Sequence, residues 1–212
     1  MTKRGLFITF EGIDGCGKST QAKMLADYIF GLNKYNHVLK TREPYKNQDI
    51  RKILQNEEDP YSQARKLAEM FIGDRQRHVK ELIAPTLNTG THVISDRYSL
   101  STLSYQQTQG MELNELVKMH SGLPIPDLTY IVNVPVKVAT ERMKKDGERK
   151  EEQKFEKDID FIEKLRQKYL ELPWKLHNHN VVVIDGTKTP EEIFEKQIKP
   201  AFDKLYNSRY AC

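Results

Sequence analysis

Cysteine is scarce in this chain of 212 residues, and long hydrophobic runs are missing. The two cysteines, Cys16 and Cys212, are too few for a disulfide framework. No apolar run approaches the roughly 18 residues that a transmembrane helix needs, and the opening MTKRG does not begin a signal peptide. These absences exclude the disulfide-rich secreted class and the membrane-spanning class. We therefore expect a cytoplasmic protein without a membrane partner.

An excess of charge of one sign is also lacking. The chain has 34 Lys and Arg against 30 Asp and Glu, a net charge of +4. This balance suits a protein that handles polyphosphates but gives no support for a nucleic-acid partner. Repeats, low-complexity segments and Pro/Gly-rich linkers are absent from the sequence, so we expect residues 1–212 to form a single domain.

Short apolar runs rich in β-branched residues recur along the chain, and longer segments with helical spacing separate them. This alternation predicts an α/β fold, a parallel sheet of about five strands with helices on both faces. Ligands of such sheets bind beyond the carboxyl ends of the strands. The predicted strands are residues 6–10, 37–41, 91–96, 128–134 and 180–185.

The segment after the first strand begins a phosphate-binding pattern, G-x-x-x-x-G-K-[ST], completed by Gly12, Gly17, Lys18 and Ser19. Loop N–H groups and the start of a helix would surround a phosphate there. Lys18 would reach the β- and γ-phosphates of a nucleoside triphosphate, and the Ser19 hydroxyl would bind Mg²⁺. The alternative is an ordinary glycine-rich turn. The predicted nucleotide-binding residues of this loop are Gly12, Ile13, Asp14, Gly15, Cys16, Gly17, Lys18, Ser19 and Thr20.

Several arginines are placed where they could hold a second phosphate. Arg42 and Arg97 each follow a predicted strand, and residues 141–155 carry two more arginines in a helix–loop–helix pattern. Arginine binds phosphate oxygens with two parallel hydrogen bonds. A guanine-reading N-K-x-D motif would indicate a GTP switch, but residues 33–36 read NKYN. The pattern therefore favours phosphoryl transfer to an acceptor that itself bears a phosphate.

Six segments, in this order and spacing, are FEGIDGCGKSTQ, TREP, MFIGDRQRH, ISDRYSLSTLSYQ, PDLTYIVNVP and RQKYLEL. Together they resemble the thymidylate kinase family of P-loop nucleoside monophosphate kinases over nearly the whole chain. The resemblance implies a three-layer sandwich with a helical lid at about residues 142–157, and transfer of the ATP γ-phosphoryl group to dTMP with Mg²⁺. It also implies a homodimer. The alternatives are a pyrimidine nucleoside monophosphate kinase of broader specificity and a catalytically inactive nucleotide-binding regulatory protein.

The resemblance assigns roles to residues around the acceptor base and sugar. It places Phe71 against the thymine ring, Arg75 on a carbonyl of the base, and Thr102 at the base N3 edge. It places the Tyr105 ring against the 2′ carbon of the sugar, and Gln106 is a further substrate residue. From the residues alone, the alternative is that Phe71 belongs to the core and Arg75 is a solvated surface charge. His78, on the same helical face, is interpreted as structural.

A second group of residues is assigned to the phosphates and the metal ion. Arg97 would bind the acceptor phosphate, with Ser101 on the same helical face, and Asp14 would contact the sugar 3′-OH. Arg42 and Glu43 would lie near the acceptor phosphate. Asp96 could bind Mg²⁺ or form a salt bridge with Arg97. The predicted catalytic residues are Lys18, Arg97, Arg149 and Asp14, and the predicted metal ligands are Ser19 and Asp96.

The chain departs from the family pattern at two places. Some members of the family carry an arginine at the position of Gly15, so here the resemblance assigns the catalytic cation to Arg149 of the lid, with Lys145 and Lys150 as alternatives. Arg142 matches a position that packs over adenine. The second departure is YKNQ at residues 45–48, where relatives usually have Gly-Gly-Thr, and this leaves the acceptor loop undefined.

Cys16 precedes the predicted start of a helix and neighbours Lys18, a field that favours the thiolate. We therefore expect a bulky thiol reagent to inactivate the protein and ATP to protect it. The alternative is a small, buried and inert loop residue.

Overall fold

The computed structural model describes residues 3–56, 59–145 and 158–210. Five strands form one parallel sheet in the order β2-β3-β1-β4-β5. Each strand begins and ends within one residue of its predicted bounds, so the predicted α/β class is confirmed. The strands are β1 (Phe7–Glu11), β2 (Val38–Arg42), β3 (His92–Asp96), β4 (Leu128–Asn133) and β5 (Val181–Asp185).

The central strand β1 is buried along its whole length. Because successive side chains of a strand point to opposite faces, this burial shows that both faces of the sheet are covered. On one side α1 packs with the helical segment near the end of the chain, and elsewhere α5 packs against α3, α6 and α8. The helices are α1 (Lys18–Leu32), α2 (Gln48–Asn56), α3 (Ala64–His78), α4 (Ala84–Asn88), α5 (Ser99–Thr108), α6 (Leu113–Met119), α7 (Val136–Lys145), α8 (Ile159–Lys175), α9 (Pro190–Ile193) and α10 (Lys199–Tyr210).

The helical segment that begins with α3 continues past His78 as far as Asn88. A π-helical turn, Val79–Ile83, joins α3 to α4 without a break. The N–H of Ala84 donates to the carbonyl of Val79, five residues earlier, and Pro85 after it has no N–H to donate. The wider turn therefore carries the helix across a proline that regular α-helical hydrogen bonding disfavours.

The predicted lid falls only partly within the described residues. Helix α7 ends at Lys145 and α8 begins at Ile159. Arg149 and Lys150 lie outside the described residues, as does Cys212. No helix within residues 3–56, 59–145 and 158–210 is long and apolar enough to cross a membrane.

Candidate active site

The loop between β1 and α1 has the backbone of a phosphate-binding loop. Gly12, Gly15 and Gly17 have φ angles of 132°, 76° and 101°, in the left-handed region that favours glycine. Gly17 is the N-cap of α1, so the free N–H groups of the first helical turn open onto the loop. The strand–loop–helix setting that the sequence predicts is therefore present.

Gly15 leaves no room for a side chain. A Cβ atom there would lie 2.4 Å from the carbonyl oxygen of Ala139 and 2.8 Å from Cγ of Met143, both on α7. The nearer atom belongs to the backbone of a helix and cannot move aside. With this backbone, a cation for phosphoryl transfer cannot be attached at position 15.

The Lys18 ammonium group lies within the loop. Its Nζ donates to the carbonyl oxygens of Ile13 at 2.8 Å and Gly12 at 3.1 Å, and it lies 3.8 Å from the Asp14 carboxylate. The side chain is 6% exposed. Its charge is therefore concentrated at the floor of the loop.

A cavity of about 770 Å³ extends from this loop to α5. Most of the predicted site residues that the structure describes line it: Asp14, Gly15, Gly17, Lys18, Ser19, Thr20, Arg42, Glu43, Phe71, Asp96, Arg97, Ser101, Thr102, Tyr105, Gln106 and Arg142. Gly12, Ile13, Cys16 and Arg75 are outside its lining. Three residues of α2 also line it and were missed: Arg51, Leu54 and Gln55.

Arg97 precedes α5, which begins at Ser99, so the prediction that it lies on the helix is wrong. Its φ angle is 72°, a conformation that costs a residue with a Cβ roughly 1–2 kcal/mol. Two hydrogen bonds hold it there. Its N–H donates to the Phe10 carbonyl at 2.9 Å, and its own carbonyl accepts from the Ser95 hydroxyl at 2.7 Å.

The Arg97 side chain nevertheless contacts Ser101, which the sequence analysis placed on the same helical face. Nη1 donates to the hydroxyls of Ser101 at 2.9 Å and Tyr169 at 3.1 Å. Nη2 donates to Asp14 Oδ1 at 2.8 Å and to the Tyr105 hydroxyl at 3.3 Å. Burial alone would lower the pKa of Arg97, but the Asp14 carboxylate and neighbouring groups raise this pKa well above its usual value. The guanidinium group is therefore a fixed positive charge at the cavity wall.

Asp96 ends β3 and faces the start of α1. Its Oδ2 accepts a hydrogen bond from the Ser19 hydroxyl at 2.5 Å, while the ion pair of Arg97 is made with Asp14. Of the two alternatives for Asp96, the salt bridge with Arg97 is therefore wrong. Ser19 and Asp96 bring two oxygen ligands of the kind that Mg²⁺ prefers to one point of the cavity.

Arg75 is 1% exposed, so the alternative of a solvated surface charge is wrong. Its Nε donates to Glu43 at 2.8 Å, and Nη1 donates to His120 Nε2 at 2.7 Å. Nη2 donates to the carbonyl of Tyr98 and to the hydroxyl of Thr102. His120 accepts this bond only when neutral, with Nδ1–H donating to the Leu116 carbonyl. Burial and the charge of Arg75 lower the pKa of His120 to about 3, which keeps it neutral.

Phe71 is partly buried, packs against the core and also lines the cavity, so the two readings of this residue are compatible. Thr102 and Tyr105 line the same wall. Gln106 donates to Gln109 through Nε2, while its buried Oε1 has no hydrogen-bond partner among the described residues. That carbonyl is an available hydrogen-bond acceptor in this wall.

Two buried carboxylates fix the segment after β2. Glu43 pairs with Arg75 and accepts from His78 Nδ1 at 3.1 Å, which agrees with a structural role for His78. Asp74 accepts from three consecutive backbone N–H groups, those of Tyr45, Lys46 and Asn47. The Asn47 side chain then accepts from the N–H groups of Asp49 and Ile50 at the start of α2. Residues 45–47 are thus a loop closed by Asp74, and Gln48 begins α2.

The expectation of a reactive Cys16 thiolate is wrong. Its side chain is 1% exposed, and burial raises the pKa of the thiol despite the nearby Lys18 ammonium. Desolvation outweighs the positive charges of Lys18 and Arg97 because the sulfur is buried in the loop. Arg142, which was expected over adenine, donates to the carbonyls of Cys16 at 3.3 Å and Gly186 at 2.9 Å and joins α7 to the loop.

Besides the three cavity residues of α2, sequence reasoning missed four residues that bond to the site from outside the cavity lining: Glu11, Asp74, His120 and Tyr169. Glu11 and Tyr169 lie inside segments that carried the family resemblance, FEG and RQKYLEL. An acidic residue at the end of an otherwise apolar strand was the available signal for Glu11. His120 gave no signal, because its partner Arg75 is 45 residues away in the chain.

A five-stranded parallel sheet with a glycine-rich loop at its carboxyl edge defines a P-loop nucleotide-binding protein. A sequence model of one family, thymidylate kinase, matches residues 10–198. The chain belongs to the thymidylate kinase family.

Individual relatives agree with this assignment. A probable thymidylate kinase of Pyrococcus horikoshii is 40% identical over 177 residues, covering 80% of this chain and 83% of the relative. The thymidylate kinase of Fervidobacterium nodosum is 37% identical over 92% of this chain and 97% of its own length. That of Thermosipho melanesiensis is 36% identical over 94% and 98%.

Proposed function

We propose that this chain transfers the γ-phosphoryl group of ATP to dTMP and forms dTDP. The observation that carries the proposal is the cavity, which is lined both by a phosphate-binding loop and by a fixed arginine, Arg97, that pairs with Asp14 of that loop. Membership of the thymidylate kinase family supports the same reaction. Neither alternative, a broader pyrimidine kinase or an inactive nucleotide-binding protein, gains support from these findings.

The donor side consists of the loop from Gly12 to Thr20. Its N–H groups bind the ATP phosphates, and Lys18 neutralises charge that grows during transfer. Gly15 excludes a side chain, so the additional cation comes from the lid, where Arg149 is the candidate. Arg142 lies beside the loop and borders the adenine site.

The acceptor side lies along α3 and α5. Arg97 binds the dTMP phosphate together with Arg42, and Asp14 contacts the 3′-OH. Phe71 stacks on thymine, Thr102 lies at the base N3 edge, and the Gln106 carbonyl, unpaired among the described residues, offers a further acceptor to the base. Arg75 acts from behind the cavity wall by holding Thr102 and Glu43 in place.

Ser19 and Asp96 fit a magnesium ion. Among the described residues no cluster of three or more His, Cys, Asp or Glu could hold a metal by itself. This agrees with Mg²⁺, which is bound in such sites by one or two protein oxygens plus substrate phosphates. When bound, the ion neutralises charge on the phosphates. Ser19 and Asp96 supply its protein ligands.

A coupled assay with ATP, Mg²⁺ and a panel of monophosphates tests the proposal. We expect dTMP to be the best acceptor and dUMP to be about tenfold slower, since burying one methyl group contributes only about 1 kcal/mol. Ribonucleotides should be poor acceptors. Efficient use of adenosine monophosphate would contradict the assignment and leave a generic monophosphate kinase.

We further propose that the chain is a single kinase domain that works as a homodimer in the cytoplasm. One sheet and one main hydrophobic core that includes residues of β1, α1, α8 and α10 support the single domain. The homodimer rests on family resemblance. Light scattering after size-exclusion chromatography tests it, and a mass near 24.8 kDa would contradict it.

A further inference from the structure

Glu11 is the last residue of β1, immediately before the phosphate loop, and it is fully buried. Its Oε1 accepts from the backbone N–H of Tyr98 at 2.9 Å, and its Oε2 accepts from the Ser101 hydroxyl at 2.6 Å. Burial raises the pKa of Glu11, and the Ser101 bond, the charges of Arg97 and Arg75 and the Tyr98 N–H oppose this increase. A hydroxyl at 2.6 Å is typical of a bond to an ionised carboxylate. Both partners adjoin Arg97, yet Glu11 is outside the cavity lining.

The donors and acceptors around Ser101 can be counted. Its hydroxyl has one proton and two lone pairs, and a carboxylate only accepts, so the proton goes to Glu11. The lone pairs accept from Arg97 Nη1 and from the Tyr169 hydroxyl, both at 2.9 Å. The Tyr169 oxygen in turn accepts from Arg97 Nη1 at 3.1 Å. In this group Arg97 only donates hydrogen bonds and Glu11 only accepts them, and the Tyr169 and Ser101 hydroxyls pass the same direction of donation from one to the other.

Glu11 also holds the backbone of the arginine segment. The N–H of Arg97 donates to Phe10 and the next N–H, that of Tyr98, donates to Glu11. Two consecutive residues of β1 thus bind the left-handed turn at Arg97. With the backbone and Nη1 fixed, Nη2 is directed to Asp14 at the cavity wall.

We propose that Glu11 is a positioning residue for Arg97: its carboxylate sets the hydrogen-bond direction that holds Nη1, and so fixes the guanidinium group at the wall of the acceptor site with Nη2 bonded to Asp14 and Tyr105. The inference rests on the proposed function.

Glutamine at position 11 would keep the shape of the side chain and reverse the direction of its hydrogen bond with Ser101. Its amide oxygen would accept from Tyr98, its NH₂ group would face Ser101, and three donors would then compete for two lone pairs.

Steady-state kinetics of Glu11→Gln test this role. We expect kcat/KM for dTMP to fall about 10- to 100-fold, because displacing a positioning group by about 1 Å costs this much. KM for ATP should change by less than about twofold, since the phosphate loop is untouched. Glu163→Gln, an exposed carboxylate on α8, changes the net charge equally and should leave both parameters unchanged.

A double-mutant cycle separates positioning from general damage. In an Arg97→Ala background, Glu11→Gln should cost nothing further, because its effect passes through Arg97. Wild-type kcat/KM in Glu11→Gln, or an equal loss with and without Arg97, would overturn the proposal. If Glu11→Gln does not fold, Ser101→Ala is taken through the same cycle, and an unchanged or additive result overturns it.

The wild type is the control for the proposed function. If it does not phosphorylate dTMP, the proposed function is contradicted, and the Glu11 comparison is made with the monophosphate that the panel identifies as acceptor. Calorimetric binding of dTMP gives the same comparison without turnover: weaker binding in Glu11→Gln supports the inference, and equal binding contradicts it.

Discussion

The guanidinium group of Arg97 and the carboxylate of Asp14 form an ion pair at 2.8 Å, although 83 residues separate them in the chain. Asp14 belongs to the phosphate loop, and Arg97 follows β3. The pair therefore joins the side of the cavity that fits the donor to the side that fits the acceptor. Its formation requires β1 and β3 to be neighbours in the sheet, which the strand order provides.

The excluded side chain at Gly15 makes the lid cation testable. We expect Arg149→Ala to lower kcat more than it raises KM for either substrate, because a lid cation acts mainly in the transition state. Steady-state kinetics of Arg149→Ala, Lys145→Ala and Lys150→Ala measure this. A large loss in a lysine variant with a near-normal Arg149→Ala would transfer the role to that lysine.

Arg75 and Arg77 lie on the same helix but differ in burial, which provides a matched pair. Arg75→Ala leaves the buried Glu43 carboxylate without its main partner and should lower the free energy of unfolding by about 3–5 kcal/mol. Arg77→Ala removes an exposed ion pair with Glu81, which solvent screens, and should change the free energy of unfolding far less. Urea denaturation of both variants measures the difference. Equal effects would show that the Arg75 network does not stabilise the fold.

Tyr105 is expected to govern the choice of sugar. Its ring lines the cavity, so a ribose 2′-hydroxyl placed against it would clash and lose its partner. Tyr105→Ala should therefore raise the use of ribonucleotides relative to dTMP, whereas Tyr105→Phe, which keeps the ring, should not. The measurement is kcat/KM for dTMP and uridine monophosphate. Relaxed sugar choice in the phenylalanine variant would point to the hydroxyl instead.

Cys16 is expected to resist modification in the folded protein. Burial raises the pKa of its thiol and shields the sulfur, so a bulky disulfide reagent should react only as fast as the loop opens. The rate should rise steeply in denaturant. Rapid labelling under native conditions, with ATP protection, would restore the original expectation of an accessible thiolate.

The neutral His120 predicts loss of stability in acid. In the unfolded chain a histidine titrates near pH 6.5, about where protonation begins to favour unfolding. Because the folded-state pKa of His120 is about 3, the free energy of unfolding decreases as the pH falls from about 6.5 towards 3. His92, whose pKa burial lowers to about 4, acts with the same sign.

His120→Gln is the test of this pH dependence. A glutamine can accept from Arg75 and donate to Leu116 without titrating, so the free energy of unfolding should fall less between pH 7 and pH 5 than in the wild type. Urea denaturation at the two pH values measures it. Identical decreases in the two proteins would exclude His120 as a contributor.

The sequence by itself determined the sheet, the phosphate loop and the family. These features depend on short-range patterns: apolar runs that become buried strands, and glycines at fixed spacing before Lys18. Such patterns are written in residues that are close in the chain. This is why the strand bounds agree to within one residue.

Only the tertiary structure decided which polar groups are buried and what they bind. Glu11 and Ser101 are 90 residues apart, and their contact follows from the packing of α5 onto the end of β1. Desolvation reversed the expected state of Cys16, and the strand order gave Arg97 the partner Asp14. Burial depends on every neighbour that surrounds a group, and in this fold those neighbours come from distant parts of the chain.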